Sequence, residues 1–186
     1  MKLFFDTEFT GLRKDTTLIS IGIVSEDERR FYAEFTDYNQ KQCNDWIREN
    51  VIKHLYAHFP KRDMFDYKTR SVTAWGDKTH VKVMLIDWLN QFDEIQFVSD
   101  VCHYDFVLLI DLFGCAFDLP QNVNPACHDI NQDISRHYGI SEREAFDKSR
   151  EEIVAELCGG PVIGRKHNAL YDAEVIRAIY KEICHD

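Results

Sequence analysis

The sequence predicts an α/β domain: a mixed central β-sheet flanked by α-helices. Three observations carry that expectation. The first third of the 186 residues reads as β-strands, the hydrophobic period then changes to helical spacing, and short strand candidates recur between the later helices. The length suits one domain over residues 1–186, and 45% hydrophobic against 29% charged residues is enough apolar material for a full core.

In chain order, Lys2 to Phe9 is apolar and aromatic, Thr17 to Ser25 is rich in β-branched residues, and Arg29 to Phe35 alternates. Gly11 and Glu26-Asp27-Glu28 punctuate these runs, so they predict an antiparallel meander. Trp46, Ile47, Val51 and Leu55 then repeat at helical spacing, as do Val81, Met84, Leu85, Trp88, Leu89 and Phe92. Ile95 to Val98 is a short strand candidate. Tyr104 to Phe113, apolar on nearly every side, predicts a buried helix. A short strand is expected near Ala126 to Ile130, and one helix over Glu142 to Cys158, stopped by Gly159-Gly160-Pro161. A final helix is expected from about Asn168 to Cys184.

Lys plus Arg number 22 and Asp plus Glu 32, a formal charge of −10. That excludes a surface basic all over, as a general cradle for nucleic acid or anionic lipid, but not a local basic track or a site where carboxylates hold cations. The six cysteines contain no Cys-x-x-Cys pair, which predicts reduced thiols in a cytoplasmic protein. Cys102-His103, Cys127-His128 and Cys184-His185 do not make a zinc site, because adjacent side chains on a helix or strand point apart. Asp6 comes too early for a signal peptide, and no apolar run approaches the roughly 18 residues of a membrane span.

The informative charges interrupt apolar surfaces. Asp6 and Glu8 sit inside Leu3-Phe4-Phe5-Asp6-Thr7-Glu8-Phe9, on one face of the expected strand and about 6–7 Å apart at Cα. Two like charges side by side in a dry setting raise each other's energy unless a cation lies between them. The pair therefore points to metal ligation. Asp105 has Leu108, Leu109 and Leu112 as helical neighbours, so it lies on an apolar face. The helix dipole alone also stabilises such an Asp, and by itself Asp105 decides nothing. Asp172 has only Ala169, Ile176 and Ile179 around it on the last helix and needs a partner from elsewhere, a metal or a basic residue. His-x-x-x-x-Asp occurs three times, at His58/Asp63, His128/Asp133 and His167/Asp172. Only the third sets its Asp on the core face of a long apolar helix. Gly159 to Lys166 half-matches a phosphate-binding loop but has Arg165 and Lys166 where Lys and Ser/Thr belong. It reads as a helix stop and a mobile, locally basic loop.

Asp-x-Glu on the first strand, Tyr-Asp opening a buried helix and His-x-x-x-x-Asp leading into the last helix, in that order, resemble the His-containing (DEDDh) branch of the DEDD superfamily of 3′–5′ exonucleases, on the ribonuclease H-like fold. Phe5 to Leu12 resembles the first exonuclease motif, Ser99 to Asp105 the second and His167 to Ala173 the third, so the resemblance spans essentially the whole chain. Phe-Phe-Asp-Thr-Glu-Phe and Ile-Ser-Ile-Gly-Ile-Val, without extra domains, are most similar to small bacterial exoribonucleases of the mycobacterial type. One departure is Asp100, where many relatives carry Asn four residues before the aromatic of the second motif; it leaves the catalytic set intact and changes a local hydrogen-bonding group.

The resemblance implies a metal-dependent 3′–5′ exoribonuclease that releases nucleoside 5′-monophosphates from single-stranded RNA 3′ ends. Two Mg²⁺ or Mn²⁺ ions roughly 4 Å apart activate water and stabilise the leaving 3′-oxygen in such chemistry. By resemblance, Asp6 bridges the ions, Glu8 and Asp172 complete the nucleophile-side ion, and Asp105 supports the second through water. His167 takes the proton from the attacking water. Glu8 stands near the terminal 3′-OH and Leu12 wedges at the last base, with Thr7, Tyr104, Arg165 and Lys166 as further substrate contacts. A single-stranded DNA exonuclease shares this chemistry. A non-catalytic nucleic-acid-binding module on the same fold is disfavoured by the intact Asp6, Glu8, Asp105, His167 and Asp172. A homodimer is implied by the resemblance only. From Lys53 to Lys82, seven basic and three acidic residues interleave with Tyr56, Phe59, Phe65, Tyr67 and Trp75. This composition fits a single-strand track, and equally a solvated loop with core aromatics.

Overall fold

A computed structural model describes residues 1–55 and 62–184. The chain opens with the meander β1 (Lys2–Phe9), β2 (Leu18–Ser25) and β3 (Arg30–Phe35), all antiparallel. After a short helix α1 (Asp45–Asn50) come a hairpin of β4 (Met64–Asp66) and β5 (Ser71–Gly76), α2 (Lys78–Leu89), β6 (Gln96–Ser99) and α3 (Cys102–Phe113). The remainder is β7 (His128–Asp129), α4 (Ile130–Tyr138), α5 (Glu142–Asp147), α6 (Arg150–Leu157) and α7 (Ala169–Ile183). The strands form one mixed sheet in the order β4-β5-β3-β2-β1-β6-β7, with β6 parallel to β1 and β5 parallel to β3.

All eight residues of β2 are buried, as expected of a strand covered on both faces. On one face Leu3, Phe5, Ile21 and Phe31 pack against Leu85 and Trp88 of α2 and Phe106 and Leu109 of α3. On the other, Phe4, Val24 and Val98 meet Ile130 and Ile134 of α4, Ile153 of α6, and Ala173, Ile176 and Ile179 of α7. Each buried Val, Leu, Ile or Phe among them contributes about 1.5–3 kcal/mol. The alternation fixes the faces: Asp6 and Glu8 share Phe4's side, toward α7, and Thr7 shares Phe5's, toward α3.

Several elements differ from the sequence expectation, each for a local reason. The run from Trp46 is helical only to Asn50; a 3₁₀ turn over Ile52–His54 follows, and Ile47 and Val51 pack with Ile19 and Cys43. The single helix expected over Glu142 to Cys158 is two. Lys148 is extended (φ −71°, ψ 133°), and the Ser149 hydroxyl accepts the Glu152 N–H, restarting the helix as α6. Helix α4 had no expectation because only Ile130 and Ile134 mark its buried face in a polar surround; the Asp129 cap and left-handed Gly139 (φ 64°) bound it. The basic, aromatic stretch contains the edge hairpin β4–β5, where exposed Phe65 and Tyr67 stack on each other (ring centroids 6.2 Å apart). Tyr56 and Phe59, and His58 of the first His-x-x-x-x-Asp, lie outside the described residues. Among the described residues no helix is long and apolar enough to cross a membrane.

Candidate active site

Three segments converge at the C-terminal end of β1. The strand itself supplies Asp6 and Glu8, the β6–α3 junction supplies Asp100 and Asp105, and the entry to α7 supplies His167 and Asp172. Gly22 permits the third approach. It pairs with Asp6 across the β1–β2 ladder, and a Cβ there would lie 2.2 Å from the backbone N of Leu170 and 2.3–2.4 Å from the carbonyl of Ala169. The first turn of α7 therefore rests directly on β2 beside Asp6. Asn168 caps that turn by accepting the Tyr171 N–H (3.2 Å).

The ligating atoms of Glu8, His167 and Asp172 lie within 4.8 Å of one another, and so do those of Asp6, Asp100 and Asp105. Asp105 is fully buried and firmly held: Oδ1 accepts from the Thr7 hydroxyl (2.6 Å) and N–H (3.3 Å), and Oδ2 from the Ser99 hydroxyl (2.6 Å). Asp172 Oδ2 accepts the His167 N–H (2.9 Å). His167 takes a left-handed backbone (φ 63°), an uncommon conformation in which His is tolerated better than most residues. Its ring meets Trp46 edge to face (4.9 Å, 76°), and its Nδ1 is 4.0 Å from Glu8 Oε1.

Burial, then neighbouring carboxylates, push Glu8 and Asp172 up to about 8 and hold Asp6 well above the ordinary carboxylate range. Burial takes Asp105 to about 7 against the opposing hydrogen bonds from Ser99 and Thr7. Burial, with Lys166 nearby, lowers His167. So many carboxylates cannot all ionise together without cations among them. The oxygen donors fit Mg²⁺ or Mn²⁺, with the His167 imidazole beside them.

The site opens into a cavity of about 790 Å³, walled by these residues and by Leu12, Trp46, Phe146 and Arg150. The five acid and imidazole residues singled out in the sequence thus meet in one place. Leu12, 76% exposed, and Lys166, paired with Glu151 at 3.2 Å, line the same cavity. Thr7 lines it too, with its hydroxyl turned to Asp105. Tyr104 stacks on Phe9 (5.3 Å, 15°), and it and exposed Arg165 lie outside the cavity lining. The second His-x-x-x-x-Asp is a local pair, His128 Nε2 hydrogen-bonded to Asp133, away from this cavity. Asp100, Ser99, Trp46 and Arg150 carry parts the sequence did not assign. One signal existed for Arg150: a cation in the first turn of a helix opposes the dipole and calls for an acidic partner.

A family model described as the 3′–5′ exoribonuclease Rv2179c-like domain matches residues 1–184. The 3′–5′ exoribonucleases Rv2179c and MT2234.1, from two strains of Mycobacterium tuberculosis, are each 28% identical over 134 residues, 71% of this chain and 73% of theirs. Among solved structures, the nuclease domain of 3′hExo, a DEDDh family member bound to rAMP, superposes with a TM-score of 0.63 at 14% identity, covering 96% of this chain and 88% of that one. Pop2p of S. pombe, in a Mg²⁺- and Mn²⁺-bound form, gives 0.59 at 18% identity over 98% and 82%. At those identities the likeness is one of fold, and the fold is the ribonuclease H-like one expected from the motifs.

Proposed function

Because the chain belongs to the 3′–5′ exoribonuclease family of Rv2179c-like domains, we propose that the cavity at the end of β1 binds the 3′ end of single-stranded RNA and releases nucleoside 5′-monophosphates with two divalent cations. The observation that carries this reading is two acid pairs in one cavity, Glu8 with Asp172, beside His167, and Asp6 with Asp105. When bound, the cations lower the pKa of the attacking water and stabilise charge on the leaving oxygen.

The chain's own groups do the rest. Asp6 lies beside Asp105 and within electrostatic reach of Glu8 and Asp172, so it would serve both ions; Glu8 and Asp172 would hold the one beside His167. Burial keeps the His167 imidazole neutral at neutral pH, the form that accepts a proton, and its loop position leaves the ring partly exposed to the cavity. Leu12 and Trp46, both exposed, offer an apolar wall to the terminal base. Lys166 and Arg165 supply positive charge beside the site in a protein of net charge −10.

The test is an end-labelled RNA oligonucleotide, with the same sequence in DNA alongside. With Mg²⁺ or Mn²⁺ it is expected to shorten from the 3′ end one nucleotide at a time. A 3′-phosphate should block digestion and a 5′-phosphate should not. Cleavage of a circular RNA, or degradation undiminished by a chelator, would overturn the reading.

A further inference from the structure

We propose that Asp100 is a fifth carboxylate ligand of this centre, serving the ion on the Asp6–Asp105 side, and that Arg150 is the residue that orients it. The inference rests on the two-ion reading above.

Topology places Asp100. The parallel pairing of β1 with β6 runs Lys2↔Gln96, Leu3↔Phe97, Phe4↔Val98. The same offset, continued two residues past the paired segment, sets Asp100 beside Asp6, and both fall on the face of Phe4 and Val98. Hydrogen bonding then separates the two candidate carboxylates. Asp105 has both oxygens engaged, by Thr7 and Ser99. Asp100 has one oxygen engaged: Oδ2 accepts from Arg150 Nε at 2.8 Å, while Oδ1 has no hydrogen-bond partner among the described residues. A carboxylate anchored through one oxygen and open at the other is oriented for a cation.

The anchor is itself fixed. Arg150 Nη1 donates to the carbonyls of Ala145 and Lys148 (2.9 Å each), and Nη2 donates to Asn131 Oδ1. Asn131 returns a hydrogen bond to the Asp100 carbonyl (2.7 Å). Helices α4, α5 and α6 thereby hold Asp100 at both backbone and side chain. With its nitrogens committed in this way, Arg150 is a positioning residue and not a phosphate ligand. Charge agrees: five ionised carboxylates, Asp6, Glu8, Asp100, Asp105 and Asp172, balance two divalent cations and one guanidinium.

The experiment titrates the metal-free, full-length protein with Mn²⁺ alone, followed by calorimetry and by electron paramagnetic resonance. Wild type is expected to take two ions, with a spin-coupled spectrum when both are bound. Asp100→Asn is expected to weaken one of them by about tenfold or more and to leave the spectrum of an isolated ion. Glu8→Gln should weaken the other. Arg150→Gln should weaken the same ion as Asp100→Asn and leave the other at wild-type affinity, and Arg150→Lys should recover part of the loss. Should the amide variant fail to fold, Asp100→Ser carries the same test. If Asp100→Asn binds two ions with wild-type affinities and a coupled spectrum, the assignment of Asp100 is overturned and the two-ion reading stands. If wild type itself takes fewer than two ions, the two-ion reading fails and this one with it.

Discussion

His167 is under three constraints at once: a left-handed backbone, a main-chain hydrogen bond to Asp172 and an edge-on contact with Trp46. Only the last belongs to its side chain, so the ring is free for chemistry while the backbone positions a ligand. His167→Ala should therefore lower the turnover rate by about 10²–10⁴-fold with metal binding little changed, the lost Trp46 contact and the left-handed backbone lowering the melting temperature only modestly. Wild-type rate should rise with pH through an imidazole titration displaced below the ordinary histidine value, and that limb should be absent in the variant. A full rate with an unchanged pH profile would make His167 structural. Asp6→Asn should act differently: it removes a carboxyl group whose ionisation the fold opposes, so the metal-free protein should melt no lower than wild type, yet metal should no longer raise its melting temperature and activity should be lost. Thermal melts with and without metal, beside a nuclease assay, decide this. At this scale the sequence was most legible where charge interrupted an apolar run, which is why Asp6, Glu8, Asp105 and Asp172 stood out. Asp100 did not, because its place beside Asp6 follows from a strand pairing 94 residues apart in the chain.

Among the elements, the contact between β2 and α7 decides whether the site exists. Asp172 and His167 reach Glu8 only because the backbone of Ala169 and Leu170 lies directly on Gly22. A methyl group there meets backbone and not a flexible side-chain tip. Gly22→Ala should therefore lift the first turn of α7, destabilise by about 1–3 kcal/mol as overpacking does, and weaken metal binding beyond what its stability loss explains. Gly160→Ala, with nothing within 4 Å of an added Cβ, is the control. Denaturant melts and metal titration on both variants give the answer; a Gly22→Ala protein with wild-type metal affinity would remove this contact from the account. The meander, α2, α3 and α7 were readable because their apolar patterns run long, and β6 as a short apolar run between helices. The break between α5 and α6 was also written locally, as Ser141-x-x-Glu144 and Ser149-x-x-Glu152, but it falls in the polar run Asp147 to Glu152, which carries no hydrophobic period to mark where one helix ends and the next begins. Strands β4 and β5 carry alternating, half-exposed side chains at the sheet edge, and there basic and aromatic composition drowned the period of two.

Across the whole molecule, the site makes stability depend on pH in a sense opposite to that of most acidic proteins. Carboxylates ionise near 4 in the unfolded chain, whereas the fold holds Glu8 and Asp172 near 8, Asp105 near 7 and Asp6 well above its ordinary value. Between those limits the folded state keeps protons that the unfolded state has released. The cluster's contribution is thus complete below the ordinary carboxylate range and is lost as pH rises toward about 8. Lowered groups oppose this elsewhere. Asp27, drawn down to about 2 chiefly by its hydrogen bonds from Arg29, and Glu28, lowered by Arg177, contribute above the carboxylate range and lose that contribution only in more acid solution. His167, lowered by burial, favours the fold as pH rises through the imidazole range, one partly exposed group against four carboxylates. The metal-free protein should accordingly melt at progressively lower temperature from pH 5 to pH 8. Cations that bind the ionised cluster compete with those protons, so saturating Mg²⁺ or Mn²⁺ should raise the melting temperature little at pH 5 and much more at pH 8, releasing protons as it binds. Calorimetric scans in chelator and in metal across that range test the sign directly. A metal-free melting temperature that is flat or rises toward pH 8 would mean that the carboxylates are not held in the mutual repulsion that makes this cavity a cation site.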